Sequence, residues 1–268
     1  MSELGREWMR TEMGYSTPTT ITVCGLDLAE ELMGRVGFAD LAFRFVAGRF
    51  PDERESTLFN AVLVSLADHG ITPTVLAARL TYVGAPESLQ GAVAAGLLGG
   101  GTVFLGVAED TARFLGETLS HLHDVTDADA MRRVAATAVD GLRRSGRRVP
   151  GLGHPVHKET DPRVPRMYAL ATELGLVGPN LRMLEAVASV HDEATGRHLP
   201  INGAGVAGAA LADLGFDWRI IRGFALLART AGVLGHLAEE MSESMAMPLW
   251  QEVEHGVTEW QTSRGGGG

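Results

Sequence analysis

Between Ile220 and Met241 the apolar residues Ile220, Phe224, Leu227, Ala231, Leu234, Ala238 and Met241 recur every three or four positions. That spacing places them on one stripe of a helix and is incompatible with the two-residue period of a strand. Asp217, just before the stripe, suits the N-cap. The pattern repeats at Met131, Val134, Ala138 and Leu142, after a capping-type run at 126–129, and again at Leu181, Leu184, Val187 and Ala188. Thr72-Pro73 and Ala85-Pro86 place prolines where first helical turns accept them. Strand signals are few. The stretch 19–23 is the best, as half of a small hairpin near the start. No internal repeat interrupts the sequence. The chain is therefore expected to be all-α.

Three helical glycines, Gly223, Gly232 and Gly235, each cost about 1 kcal/mol against alanine in a helix interior. Close helix–helix packing is the expected reason for all three. Loops break the helical pattern at 99–101, 147–163 and 198–205, and functional groups collect on loops held by rigid elements. With 268 residues, 45% of them apolar and 21% charged, the chain has material for a sizeable core. A net charge of −10 argues against a nucleic-acid or anionic-membrane partner, which needs a basic face. It leaves room for an anionic small ligand held by a few local cations. No apolar run reaches the ~18 residues of a membrane span. The opening stretch carries Glu3, Arg6, Glu7, Arg10 and Glu12 without the apolar core of a secretion signal. Cys24 is the single cysteine, so no intrachain disulfide forms, and a reducing cytoplasm is expected. The glycine run 265–268 reads as an unstructured tail.

The most informative segment runs Val149-Pro150-Gly151-Leu152-Gly153-His154-Pro-Val-His157-Lys158-Glu-Thr-Asp161-Pro-Arg163. Its glycines let backbone approach a ligand closely. Its histidines can donate a hydrogen bond or proton near neutral pH. Its lysine and arginine match phosphate and carboxylate groups. By residue chemistry alone it is a solvated polar loop or a binding site. His154 and His157 lack the further His, Cys or carboxylate pattern of a metal centre, so no metal is expected.

This segment resembles, without a gap, the citrate synthase signature G-x-G-H-x-V-x-[KR]-x-x-D-P-R. Further landmarks follow the same order along roughly residues 20–255. Ala67-Asp68-His69-Gly70 resembles the element that supplies a substrate-binding histidine. The run from Asn202 to Asp213 resembles the N-V-D-G element and its helix. Arg229-Thr-Ala-Gly232-Val-Leu-Gly235-His236 resembles the late R-x-x-G-x-x-[GA]-H helix. The compact length and Phe104 are closer to the citryl-CoA lyase module of ATP citrate lyase, and to short citryl-CoA lyase-like proteins, than to full-length citrate synthases.

The resemblance implies a citrate synthase-like, all-α fold. Residues 1–106 and 216–268 would form a large helical domain, and 107–215 an inserted small one. It implies a CoA thioester as substrate, a keto- or hydroxy-acid co-substrate, and a homodimer or higher homo-oligomer. His154 would polarise or protonate the oxygen at the carbon where a C–C bond forms or breaks. His69 would hydrogen-bond the same oxygen, and Arg163 and Arg229 would clamp a carboxylate, with Asn202 beside the substrate. Lys158 would meet the CoA phosphates, and the backbone of Val149, Pro150, Gly151, Leu152 and Gly153 the adenine. Three of these residues have plainer readings: Arg229 as a surface ion-pair residue, His69 as a helix-end histidine, and His236 of the late motif as a structural rather than catalytic one.

The chain also departs from the pattern. Ala204 stands where citrate synthases carry the aspartate that removes the thioester α-proton. Phe104 replaces a histidine, and Met247 replaces an arginine that reaches a neighbouring subunit's site. Asp192, Glu193 and His198 are the nearby candidates for a replacement base. The expected activity is Claisen or retro-Claisen chemistry next to a CoA thioester, on a hydroxy- or keto-acid other than citrate, and a reaction of the citryl-CoA lyase type is the nearest named one. An acyl-CoA-binding protein, a complex subunit or a thioester hydrolase is the alternative.

Overall fold

A computed structural model describes residues 11–265. The opening charged stretch up to residue 10 and the glycines beyond 265 lie outside the described residues. The chain divides by its contacts into two units, one ending at Asn60 and one beginning at Ala61.

In the first unit, β1 (Gly14–Ser16), β2 (Ile21–Val23) and β3 (Leu26–Asp27) form an antiparallel meander in the order β1-β2-β3. Gly14 pairs with Val23 and Thr22 with Asp27. The expected hairpin is thus a three-stranded sheet. A π-helical turn, Leu28–Leu32, follows, with Asp27 Oδ1 accepting from the N–H groups of Ala29 and Glu30. Helix α1 (Phe38–Ala47) ends at Gly48 in the left-handed region, and α2 (Glu53–Ala67) runs through the boundary. Phe43 meets Phe59 edge-to-face with ring centroids 5.3 Å apart.

The second unit contains α3 (Pro73–Gly84), α4 (Leu89–Leu98), α5 (Val107–Leu119), α6 (Ala128–Arg144), α7 (Arg163–Glu173), α8 (Pro179–Thr195), α9 (Gly203–Asp213), α10 (Trp218–Ser242) and α11 (Ala246–Gly265). Caps fall where the sequence places them. Asp217 caps α10 through the Arg219 N–H, Asp127 caps α6 through the Ala130 N–H, and Thr72 precedes Pro73 at the start of α3. Pro86 does not open a helix, because α4 begins at Leu89 with Ser88 as its cap. Pro86 sits in the connecting turn, three residues early.

Helix α3 packs on α4, α10 and α11, while α5 packs on α8, α9 and α10. Ala78, Ala92, Val233 and Leu237 join α3, α4 and α10 in one fully buried cluster. By length and composition α10 would also cross a bilayer. Its packing against α3, α4, α5 and α9 and its buried Arg229 are those of a core helix. Of the three helical glycines, only Gly232 has the expected role. A Cβ there would lie 2.2 Å from the Ala67 carbonyl oxygen, so the absent side chain lets α10 touch the end of α2. Gly235 faces open space, and Gly223 meets only Ile220 of its own helix.

Candidate active site

The close approach at Gly232 has a consequence one turn back along α10. Arg229 rises beside Asp68 and His69, which directly follow α2. Its side chain is 5% exposed, its Nε is buried without a partner, and no hydrogen bond or ion pair to it occurs among the described residues. Burial lowers its pKa, the Asp68 carboxylate opposes that, and Arg163 adds to it. The guanidinium nonetheless stays charged, since arginine does not deprotonate in proteins. A buried cation without a hydrogen-bonded anion is costly to keep. Arg229 is therefore not the surface ion-pair residue of the plainer reading. It is a buried cation that no hydrogen-bonding group meets among the described residues.

His69, His154 and His157 converge next to it. Ring centroids are 5.2 Å apart for His69 and His154, 6.2 Å for His69 and His157, and 4.5 Å for the stacked pair His154 and His157. One ring nitrogen from each lies within 4.8 Å of the others. Two hydrogen bonds of about 2.7–3.0 Å to one oxygen span such a gap. The local fold decides the proton on His154. Its Nδ1 accepts from the backbone N–H groups of Val156 (3.1 Å) and His157 (3.0 Å). A neutral His154 therefore carries its proton on Nε2 and presents a donor there. The same bonds oppose a metal at these three imidazoles. Ligation by His154 Nε2 would need a proton on Nδ1, pointed at two N–H donors. Burial lowers the pKa of His69, with Arg163, Arg229 and His157 adding to it. Burial also lowers that of His154, against Asp161 and with His157, His69 and Arg163. Both shifts favour the neutral imidazole.

Behind His69 lies a chain of side chains that ties Asp68 and His236, each from a motif, to Arg79, Glu239 and Glu240, which no motif announces. Asp68 Oδ2 accepts from the Gly70 N–H (2.8 Å), and its Oδ1 lies 2.9 Å from His236 Nε2. His236 Nδ1 lies 2.9 Å from Arg79 Nη2, a donor, so His236 carries its proton on Nε2 and donates to Asp68. Arg79, 3% exposed, donates to Glu240 (3.0 Å) and pairs with Glu239. Glu240 in turn accepts from the first N–H groups around the start of α11, Met245 and Ala246. His236 is thus a structural residue that fixes the loop bearing His69.

The other face is closed by Asp161, which is fully buried. Arg163 Nε and Nη2 grip its two oxygens at 3.0 and 2.7 Å, and the Gly203 N–H donates at 2.8 Å. Burial pushes this carboxyl up, but those hydrogen bonds outweigh it and hold it at about 2. A Cβ on Gly203 would lie 2.1 Å from the Arg163 guanidinium carbon, so only glycine fits there. Most of the Arg163 fork is therefore engaged inside the protein, and Nη1 reaches the Ser65 carbonyl at 3.3 Å. Asn202 is engaged too. Its Oδ1 caps α9 through the Gly205 N–H and its Nδ2 donates to the Gly153 carbonyl. Arg163 and Asn202 thus position the loop, while Arg229 remains open.

The glycine loop 149–153 is strapped to the segment before α9. Leu152 bridges to Ile201, and Gly153 N–H donates to the Pro200 carbonyl (2.7 Å). Gly151 and Gly153 take φ of 83° and 80°, the left-handed region that favours glycine. Val149 is buried, Pro150 is half-buried, and Lys158 Nζ donates to the His154 carbonyl at 3.0 Å. The candidate bases lie elsewhere. Asp192 pairs with His198 (2.6 Å), His198 Nε2 donates to the Glu159 carbonyl, and Glu193 pairs with Arg132. No hydrogen bond or ring contact joins them to the three imidazoles among the described residues. They pin the loops instead. Ala204 sits in the first turn of α9, Phe104 is partly exposed in the turn before α5, and Met247 is in the first turn of α11.

The citrate synthase C-terminal domain family matches residues 19–249. Citryl-CoA lyase from Hydrogenobacter thermophilus is 32% identical, with 87% of each chain covered and a TM-score of 0.78. ATP citrate lyase of Methanosaeta concilii, solved with (3S)-citryl-CoA, is 21% identical over 88% of this chain and 39% of that one, with a TM-score of 0.70. It agrees in fold. ATP-citrate synthase beta chain protein 2 of Arabidopsis thaliana is 27% identical over 223 residues, 75% of this chain and 34% of that protein. The chain thus spans about a third of the length of the curated relatives it matches.

Proposed function

Because the chain belongs to the citrate synthase family, we propose that it makes or breaks a carbon–carbon bond next to a CoA thioester, on a keto- or hydroxy-acid other than citrate. The observation that carries this is the pairing of three converging imidazoles with the unpartnered, buried Arg229. Arg229 supplies the charge for a substrate carboxylate. His154 Nε2–H supplies a hydrogen bond to the oxygen on the carbon being joined or released. Electrostatic stabilisation of that oxygen as charge develops is usually the largest catalytic contribution. The backbone of 149–153 and Lys158 are proposed to hold CoA. Hinge motion of residues 107–215 against 1–106 and 216–268 is proposed to close the cleft.

The substrate carries fewer anionic groups than citrate, in this reading, since Arg163 is largely engaged by Asp161 and Met247 offers no charge. A homodimer or higher homo-oligomer is supported by α11, where Trp250, Val253, Val257 and Trp260 form an exposed stripe at coiled-coil spacing. The single thiol Cys24 supports a reducing, cytoplasmic setting.

The test mixes the protein with CoA, acetyl-CoA plus oxaloacetate, or citryl-CoA. Binding is read by calorimetry, and free thiol and products by mass spectrometry. Saturable CoA binding, weakened in Lys158→Glu, is expected. Citrate formation at an ordinary enzyme rate, on the order of 1–10³ s⁻¹, would overturn the assignment to another substrate. Thiol release without C–C bond change would favour a thioester hydrolase, and absence of CoA binding at millimolar ligand would remove the reading altogether.

A further inference from the structure

We propose that His157 is the group that exchanges a proton with the α-carbon of the thioester, in the role that Ala204 cannot fill. The inference rests on the C–C bond reading above.

A carbon acid as weak as a thioester needs a positioned base with a free lone pair. Ala204 has none, and the carboxylates that frame the site are engaged. Asp161 receives Arg163 and the Gly203 N–H. Asp68 receives His236 and the Gly70 N–H. Asp192, which lies away from the imidazoles, receives His198 and the Leu199 N–H. Among the imidazoles, His154 has its Nδ1 lone pair occupied by two backbone N–H groups and offers only a donor. His236 is held between Arg79 and Asp68. His157 differs from both. Neither of its ring nitrogens makes a hydrogen bond among the described residues, and its ring stacks on His154 at 4.5 Å. Its own N–H fixes the His154 tautomer, so donor and base are set by one turn of loop. Its ring faces those of His69 and His154, and Arg163 and Asp161 act electrostatically on both of these, with Arg229 acting on His69.

In the direction of bond formation, a neutral His157 takes one proton from the α-carbon. The C–H electron pair becomes the enolate, whose carbon attacks the keto carbon; the alkoxide that forms is held by the His154 Nε2–H bond and takes its proton from imidazolium His157, so both imidazoles end neutral. In cleavage the same electrons run back. A neutral His157 takes the hydroxyl proton, the His154 Nε2–H bond holds the alkoxide, the C–C bond breaks toward the thioester, and imidazolium His157 delivers that same proton to the α-carbon. No oxidant, reductant or further reactant is needed.

The test follows exchange of the acetyl-CoA methyl protons for deuterium in D2O by mass spectrometry, with and without oxaloacetate. Wild type is compared with His157→Ala and His157→Gln, and acetyl-CoA affinity is measured alongside. Both variants are expected to lose about 10²-fold or more in exchange while holding acetyl-CoA within about twofold of wild type. Exchange in either variant within about threefold of wild type would overturn the inference and leave the C–C bond reading standing. Exchange and affinity lost in parallel would also overturn it, by making His157 a positioning residue. A wild-type protein that binds acetyl-CoA but exchanges nothing would overturn inference and reading together.

Discussion

Two arginines stand within electrostatic reach of the same histidine and could not be more differently provided for. Arg163 is forked onto Asp161, with Gly203 stripped of a side chain to admit it. Arg229 is more deeply buried, and no carboxylate or carbonyl meets it among the described residues. A satisfied buried network fixes a shape, because removing any member leaves the rest unpaired. An unsatisfied buried charge does the opposite, destabilising the empty protein in favour of a liganded one. The first arginine is built into the scaffold, and the second is the one proposed above to bind a substrate carboxylate, although each stands in a family motif.

The contrast is most exposed to test at Arg163. Arg163→Met strands the Asp161 carboxylate in a fully buried place, and a loss of about 3–5 kcal/mol in unfolding free energy is expected by denaturant titration. A loss below about 1 kcal/mol would mean the Asp161–Arg163 pair is not scaffold. The next largest effect belongs to the open side. His154→Ala should lower turnover of the true substrate about 10²-fold or more with an unchanged melting temperature. A variant with full activity would make His154 structural.

The scaffold also has a pH signature. Asp161 titrates at about 2 in the folded chain, against 3.8 for a free aspartate side chain. A depressed carboxyl stabilises the fold above its unfolded pKa and loses that contribution as pH falls through its folded one. About 2 kcal/mol should therefore disappear between pH 4 and about 2, and Asp161→Asn should flatten that part of the stability curve. An unflattened curve would place the acid-labile interaction elsewhere. The smallest effect is on the unpartnered arginine. Arg229→Met should leave unfolding free energy within about 1 kcal/mol of wild type, or raise it, because it removes an unpaired buried charge. It should nonetheless abolish the rise in melting temperature that a dicarboxylate gives the wild type. A destabilisation as large as that of Arg163→Met would erase the distinction drawn between them.

Legibility in the sequence followed the range of the forces involved. Helix caps at Asp217, Asp127 and Thr72 are hydrogen bonds within three residues; the sequence names Asp217 outright, narrows Asp127 to the run 126–129, and marks Thr72 only through the proline after it. The signature loop was readable because its residues act together while contiguous. His157 was visible only as one half of a pair with His154, since nothing in the spacing announces that His69, some ninety residues earlier, joins them. Asp192, Glu193 and His198 looked like bases because they are near the loop in sequence, and their partners turned out to be each other, Glu159 and Arg132. Gly223 and Gly235 shared a helix with Gly232 but faced away from any neighbour.

The helical period, the caps, the glycine loop and the residue types that approach a thioester were all set by the sequence, because each depends on neighbours a few positions apart. Which polar groups are already answered was decided only in the folded chain. Asp161 meets the N–H of Gly203 across forty-two residues, Arg79 meets Glu240 across 161, and Arg229 meets no partner among the described residues. A side chain's chemistry is written in its identity. Its availability depends on whether the folded chain brings it a partner, and no local pattern encodes that.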